Sequence, residues 1–244
     1  MRNVMIILKR EFASYFATPL ALVFIVIFLI FAGVFAFYIG GFYERGQSDL
    51  APFFSYHPWL YLFLIPALSM RLWAEERKTG SIELLMTLPV TPWQTVLGKY
   101  LAAWCFAGVA LALTFPIWIT VNYLGDPDNG AILAGYIGSL LMAGGFLAIG
   151  SCLSAATRNQ VIAFILTVVA CFVFLFSGFA LVLNLFDGWA PQAVIDAVAS
   201  LSFLTHFQSI SKGVIDARDL LYFATLIAVW LAANTIVLEM KKGA

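Results

Sequence analysis

One polar interval decides the fold: Trp73-Ala74-Glu75-Glu76-Arg77-Lys78-Thr79-Gly80-Ser81-Ile82-Glu83-Leu84-Leu85-Met86-Thr87-Leu88-Pro89-Val90-Thr91-Pro92-Trp93-Gln94. Apolar runs long enough to span a bilayer lie on both sides of it. Each charge at the centre of a bilayer costs about 3 kcal/mol even on lenient insertion scales. The four consecutive charged residues from Glu75 to Lys78 must therefore lie outside the hydrocarbon, between two membrane crossings.

The interval contains signals for two successive helices. The first helix has three candidate N-cap residues, Thr79, Gly80 and Ser81. Pro89 ends it. Its apolar side consists of Ile82, Leu84, Leu85, Met86 and Leu88. Thr91 is the next N-cap candidate, with Pro92 at the first helical position and Gln94 completing a capping box. The pattern predicts a surface helix, a break and a helix that re-enters the membrane. A solvated loop is the alternative, because charge runs usually face water.

Composition places the chain among polytopic membrane proteins. Hydrophobic residues make up 63% of the 244 residues, charged residues only 11%, and the mean hydropathy is +0.97. Soluble domains are nearer half apolar and a quarter charged. The length allows about six spans of ~20 residues and leaves no room for a soluble nucleotide-binding domain. The three cysteines lie in apolar runs and read as small buried residues.

We therefore predict an all-α protein with six transmembrane helices, at about Leu20–Tyr43, Phe53–Trp73, Val96–Val121, Ala131–Ala155, Val161–Leu185 and Leu220–Leu238. Pro58 and Pro66 should kink the second span. The fourth span carries a stripe of small residues, which lets helix backbones approach closely in lipid; it consists of Gly135, Ser139 and Ala143, with Gly144, Ala148 and Cys152 alongside. This stripe is a candidate surface for packing against a second membrane subunit.

Residues 1–18 are too charged to span and predict a helix lying in the headgroup plane. The apolar face of this helix consists of Met5, Leu8, Phe12, Tyr15 and Phe16. The polar face consists of Asn3, Arg10, Ser14 and Thr18, with Glu11 nearby. The alternative is a signal peptide. The following apolar run is too long for that, and it ends without a clear small-residue cleavage site.

Basic residues predict the orientation of the six spans. One side collects ten of them, namely Arg2, Lys9, Arg10, Arg71, Arg77, Lys78, Lys99, Arg158, Lys241 and Lys242, and the other side collects Arg45, Lys212 and Arg218. Both termini and the polar interval should therefore be cytoplasmic.

The sequence offers no site for chemistry. It lacks the G-x-x-x-x-G-K-[ST] pattern of a P-loop. His57 and His206 could each be a metal ligand, although lone histidines beside aromatic residues are more often structural. The predicted spans hold almost no ionisable residues, which argues against a secondary carrier or channel and against an intramembrane enzyme. The secondary carrier or channel without an ATPase is the retained alternative.

One segment resembles a known family. The run Glu76-Arg77-Lys78-Thr79-Gly80-Ser81-Ile82-Glu83-Leu84-Leu85, followed by Pro89-Val90 and Val96-Leu97-Gly98-Lys99, resembles the cytoplasmic signature of ABC-2 type transporter permeases. It looks most like the branch that contains the gliding-motility permease and permeases for copper-site maturation. The family's length and hydropathy fit the whole chain as a single transmembrane domain, 1–244.

The resemblance implies a membrane permease subunit of an exporter, whose residues 74–95 form a cytoplasmic coupling segment. That segment would dock on a separate ATPase subunit, present in two copies and binding ATP and Mg, while this chain binds no cofactor or metal itself. The implied docking residues are Glu76, Arg77, Thr79, Gly80, Ser81, Glu83, Leu84 and Leu85. A second permease-type chain would complete the path, either as a homodimer or as a different protein with a large outer domain. The expected location is the bacterial inner membrane, in contact with lipid and without nucleic acid.

Residues 187–218 predict a pair of short helices on the outer side. Pro191 could open one helix, and the apolar stretch from Ser202 to Ile210 forms another, each too short to cross a membrane. A surface cap on the headgroups is one interpretation. The resemblance to the paired outer helices of ABC-2 permeases implies a re-entrant hairpin that closes the outer mouth, with Ser202, Phe203, His206 and Phe207 as the outer gate.

Overall fold

A computed structural model describes residues 2–46, 48–82, 89–186 and 190–240. The described residues are helical and contain no strand. The helices are α1 (Arg2–Phe16), α2 (Pro19–Gly33, continued by a π-helical turn Val34–Ile39), α3 (Ala51–Ser69), α4 (Arg71–Thr79), α5 (Pro92–Ala112), α6 (Phe115–Leu124), α7 (Asn129–Ala156), α8 (Gln160–Phe176), α9 (Ala180–Leu183), α10 (Gln192–Ser200), α11 (Phe203–Ser211) and α12 (Ala217–Met240).

Four helices within the described residues are long and apolar enough to cross a membrane. They span Ala21–Ile39, Pro92–Leu124, Asn129–Ala156 and Ala217–Met240, and the bent pair of α10 and α11 would be a fifth if counted as one span. These four coincide with predicted spans one, three, four and six. The part of the chain that the structure describes is thus that of an all-helical multi-pass membrane protein, with four to five candidate spans. Six spans remain a prediction, because α3 carries prolines and a histidine and α8 has only 17 residues.

Helix α7 is the central element of the bundle. Of its apolar segment, 72% is buried, against 22% for the segments of α2 and α12. Its small residues receive large side chains of the same chain: Phe54 lies against Gly135, Trp104 and Tyr100 against Gly144, and Phe203 against Gly145. The small-residue stripe therefore packs the interior of this bundle, so the expectation that it faces a second subunit was wrong.

Helices α10 and α11 form a pair bent by 61°, and α11 packs against α7 inside the bundle. Along α7, Gly213 lies near Ala131, Ile210 near Gly138, and Phe203 near Gly145. From Ala131 to Gly145 an α-helix rises about 21 Å. The bend at Leu201 and Ser202 therefore lies close to the middle of α7.

Helix α8 ends where this bend begins, which explains its shortness. The predicted fifth span continued to Leu185, but α8 stops at Phe176, and a turn leads to the single-turn helix α9. Ser202 Oγ donates a hydrogen bond to the Leu175 carbonyl at 3.4 Å. The bend thus satisfies one of the carbonyl groups that every helix end leaves without an intrahelical partner.

Helix α1 packs along α5 through a face slightly different from the predicted one. Ile7 is its one buried residue among those described, whereas Met5 and Phe16 are exposed. Ile7 lies against Gly98 of α5, where no larger residue would fit without movement. The buried face is centred on Ile7 and Glu11, so Glu11 points toward the bundle and not toward the headgroup layer.

Candidate functional site

The start of α4 is anchored in the bundle by a serine of α7. The first backbone N–H groups of a helix lack intrahelical acceptors and need other partners. Ser154 Oγ accepts hydrogen bonds from the N–H groups of Trp73 and Ala74, each at 3.1 Å, and donates to the Met70 carbonyl at 2.9 Å. One hydroxyl thus holds the junction between α3 and α4.

A second serine connects α4 to α12. Ser151 Oγ accepts from the indole Nε1 of Trp73 at 3.1 Å and from Asn234 Nδ2 at 2.7 Å. All three side chains are buried. Since buried polar groups are costly unless paired, these bonds define one position of α4 relative to α7 and α12.

A buried lysine joins α4 to two further helices. Lys99 of α5 has a side chain only 3% exposed, and its Nζ lies 2.6 Å from Glu76 Oε1 and 3.4 Å from Glu11 Oε1. Nζ also lies 5.2 Å from the centre of the Trp73 ring, within the range of a cation–π contact. Helices α1, α4 and α5 therefore meet at one cation, which we call the Lys99 cluster (Glu11, Glu76, Lys99).

The charge balance of this cluster shifts the titration of Glu11. Burial raises the pKa of its carboxyl, but Lys99 and Arg10 together lower that pKa by more, so the net pKa lies below its ordinary value. Glu11 is therefore a carboxylate at neutral pH. Beside the cluster is a cleft of about 330 Å³, lined among others by Tyr15, Arg71 and Glu75; Arg71 and Glu75 form a bidentate ion pair within α4 at 2.9 and 3.1 Å.

The far end of α4 is exposed, and its boundary differs from the prediction. Thr79 is the last residue of α4, and Gly80 ends that helix with φ +74°. Helical residues resume immediately at Ser81 and Ile82, so Gly80 lies between two helical stretches. Gly80 suits this place because it has no Cβ to clash in the left-handed conformation. Of the predicted docking residues, Glu76, Arg77, Thr79, Gly80 and Ser81 lie together here, whereas Glu83, Leu84 and Leu85 lie outside the described residues.

Arg77 fixes the last turn of α4 against the end of α7. Its Nη1 donates to the Ala155 carbonyl at 2.6 Å. Burial, and secondarily the charge of Arg158, lower the pKa of the guanidinium, which remains protonated at any physiological pH because an unperturbed guanidinium titrates so high. Arg77 is thus a structural clamp whose other side is open to solvent.

The second predicted helix start is confirmed. Thr91 caps α5, Pro92 is its first residue, and the reciprocal bonds between Thr91 and Gln94 form a capping box. Gln94 also accepts from Asn3 Nδ2 at 3.2 Å, so the cap of α5 is tied to the start of α1.

Three of the four residues predicted for the outer gate are buried at the bend between α10 and α11. Ser202, Phe203 and Phe207 are each at most 1% exposed, and Phe203 packs edge-on against Phe146 with ring centres 4.6 Å apart. The fourth, His206, is partly buried and contacts Asp219 of α12. The structure therefore brings these four residues together around the bend, near the middle of α7.

Sequence reasoning missed the Lys99 cluster. The sequence places Lys99 in the cytoplasmic signature and predicts spans with almost no ionisable residues, yet Lys99 is buried within the predicted third span. A signal existed: Lys99 is a lone charge inside an apolar helix, and Glu11 shares an i, i+4 face with Ile7 and Tyr15. Buried charges are rare unless paired, so each could have prompted a search for a partner.

Comparisons with known proteins identify the family of the chain. No curated protein matches the chain. A family model described as ABC-2 family transporter protein matches residues 47–236, more than three quarters of the chain, from α3 almost to the end of α12. Members of this family typically pair with an ATPase subunit. The chain therefore belongs to the ABC-2 transporter family, as a membrane transport subunit that is not itself catalytic.

Proposed function

We propose that the chain is the permease of an ABC exporter and that α4, with the residues following it, receives movement from a separate ATPase. The observation that carries this proposal is the Lys99 cluster. A force on the exposed end of α4 reaches α1 and α5 through Lys99, and α7 and α12 through Ser154 and Ser151. The docking surface would comprise Glu76, Arg77, Thr79, Gly80, Ser81, Glu83, Leu84 and Leu85.

The assembly proposed around this chain has two copies of the ATPase, which hold ATP and Mg, and a second permease-type chain. Because the small residues of α7 are filled from within the bundle, the second chain would contact another face. Both termini and residues 74–95 would lie in the cytoplasm of a bacterial inner membrane, as the distribution of basic residues indicates. The resemblance of the Glu76–Lys99 motif supports the gliding-motility and copper-maturation branch.

The depth of the α10–α11 pair supports a re-entrant hairpin rather than a surface cap. Its bend lies near the middle of α7, and four other helices contact α11. Irregular backbone is tolerated at membrane depth only where protein or water covers it, and here the α8 terminus and α12 provide that cover. We propose that Ser202, Phe203, His206 and Phe207 close the outer mouth.

Co-purification with an ATPase tests the docking proposal. The permease is captured from its native membrane, and the amount of a P-loop protein per permease is measured. We expect a stoichiometric ATPase for the unchanged chain and its loss for Leu84→Asp/Leu85→Asp, because carboxylates oppose burial in a protein groove. A matched control is Val214→Asp, at an exposed residue near the opposite end of α7, and it should retain the ATPase. An unchanged chain without ATPase, or a double variant that retains it, would contradict the proposal.

A further inference from the structure

A groove separates part of α11 from α3. It has a volume of about 320 Å³, and sites for small molecules typically measure about 300–1,000 Å³. Both walls belong to this chain, so the groove needs no partner chain to form. It is lined, among others, by Ser55 and Pro58 of α3, by Leu204, Phe207 and Gln208 of α11, and by Lys212 directly after α11.

The groove has a polar end and an apolar end. Gly213 lies against Ala131 at the start of α7, so the neighbouring Lys212 marks the end of the groove that is closest to that helix start. Leu204 lies about 12 Å from Lys212 along α11, toward the middle of α7. The charged and polar side chains of α11 therefore lie at one end of the groove and its apolar side chains toward the other.

The polar end has the chemistry of an anion site. Lys212 forms no ion pair within the described residues. The carboxylate of Asp49, just before α3, is bonded elsewhere, since its Oδ1 accepts from the Ala51 N–H at 3.2 Å. Gln208 lies one helical turn before Lys212 and adds a side-chain amide that can donate hydrogen bonds. A cation beside an amide donor suits phosphate oxygens, because hydrogen bonds to an ionised group are the stronger ones.

We propose that the groove binds one phospholipid, with its phosphate at Lys212 and Gln208 and one acyl chain along Leu204, Phe207 and Pro58. A free phosphate would leave the apolar end empty, and a hydrocarbon would leave Lys212 unpaired. A molecule with both parts makes contacts along the whole groove. The length of the groove also fits, since the hydrocarbon of one leaflet is about 15 Å thick.

The lipid would come from the outer leaflet. With both termini in the cytoplasm, the start of α7 and Lys212 face outward, so this placement rests on the proposed function, whereas the binding itself does not. Phe207 is also one of the four proposed gate residues. A bound lipid would therefore hold α11 against α3 beside the proposed outer gate.

Photo-crosslinking locates the lipid. The purified chain in detergent is irradiated with phosphatidylglycerol that carries a diazirine in the middle of one acyl chain, and the crosslinked residues are identified by mass spectrometry. We expect crosslinks concentrated at Leu204 and Phe207, above those at Val169 and Val173, which are exposed on α8 and measure non-specific contact. Unlabelled phosphatidylglycerol in excess should remove the groove crosslinks, and inorganic phosphate should not. Equal crosslinking on α8, or displacement by phosphate alone, would overturn the assignment of a lipid.

Titration with phosphatidylglycerol, followed by native mass spectrometry, tests the residues. Lys212→Gln should raise the apparent Kd about tenfold, as expected for the loss of one charge-assisted hydrogen bond, and Ser55→Phe should do the same by filling the groove. The matched controls are Arg218→Gln and Ser200→Phe, at exposed residues that do not line the groove, and they should keep the affinity of the unchanged chain. Diacylglycerol, which lacks the phosphate, should bind the unchanged chain about tenfold more weakly than phosphatidylglycerol. If Lys212→Gln matched Arg218→Gln, or if diacylglycerol bound as well as phosphatidylglycerol, the proposal would be refuted. Neither measurement requires the ATPase, so failure here is distinct from failure of docking.

Discussion

Replacement of Lys99 by methionine tests the central contact of the coupling region. Methionine keeps the length of the side chain but removes the charge that two carboxylates share, at 2.6 Å for Glu76 and 3.4 Å for Glu11. Removing one partner of a buried ion pair costs about 3–5 kcal/mol. The side chains of Glu76 and Glu11 are 21% and 17% exposed, so water compensates them in part. We therefore expect the lower value, about 3 kcal/mol.

In a chain of this size, 1 kcal/mol changes the melting temperature by about 2–4 °C, so Lys99→Met should lower it by about 6–12 °C. Scanning fluorimetry of the purified chain in one detergent measures the change. Lys78→Met is the matched control, because Lys78 is exposed on the same segment, and it should change the temperature by less than about 2 °C.

A charge-neutral variant separates the lost ion pair from lost packing. Glu11→Gln and Glu76→Gln added to Lys99→Met should recover most of the stability, because replacement of all partners is often neutral. If Lys99→Met and Lys78→Met had the same melting temperature, or if the added glutamines did not restore the melting temperature, the Lys99 cluster would not be the contact that fixes α4.

Two further predictions follow from the same structure. The pKa of Glu11 in the fold lies below its ordinary value of 4.5, so the contribution of Glu11 to folding stability is fully present above pH 4.5 and is lost as the pH falls below it. In that range the melting temperature of the unchanged chain should drop more steeply than that of Glu11→Gln. Parallel melting curves would contradict this. Gly145→Ala would place a Cβ 2.6 Å from Phe203 Cε1 and should destabilise the fold by about 1–3 kcal/mol. Gly33→Ala, whose Cβ would have nothing within 4 Å, should be neutral or stabilising in the same melting assay. Equal effects of the two variants would show that α11 does not pack on α7 this closely.

The features readable from the sequence are those that depend on local spacing and on transfer from water to lipid. The lengths of the apolar runs predict the segments that coincide with α2, α5, α7 and α12. The capping box of Thr91 and Gln94 is local as well, since its two reciprocal hydrogen bonds join residues three apart. The family resemblance also rests on residue order, and the match over residues 47–236 confirms it at the level of the family.

The shortness of α8 could not be read from the sequence. Its apolar run continues beyond Phe176, and hydropathy cannot say where a helix stops when the residues that follow are also apolar. The end of this helix is hydrogen-bonded by Ser202, which lies 27 residues after its partner Leu175. The packing partner of the small residues of α7 was ambiguous too. A stripe of small residues permits close approach of another helix, but it does not specify whether that helix belongs to the same chain or to a second subunit.

By itself the sequence determined that this is a helical membrane protein, because burial of apolar surface and rejection of charge from lipid act residue by residue. The ABC-2 family was indicated by the resemblance in residue order and not by hydropathy. Only the tertiary structure decided that Lys99 pairs with Glu11 and Glu76, that Ser154 anchors α4, and that His206 meets Asp219. These contacts join residues between 13 and 88 positions apart. Their formation depends on how the helices pack, and no local pattern specifies which buried charge will meet which partner.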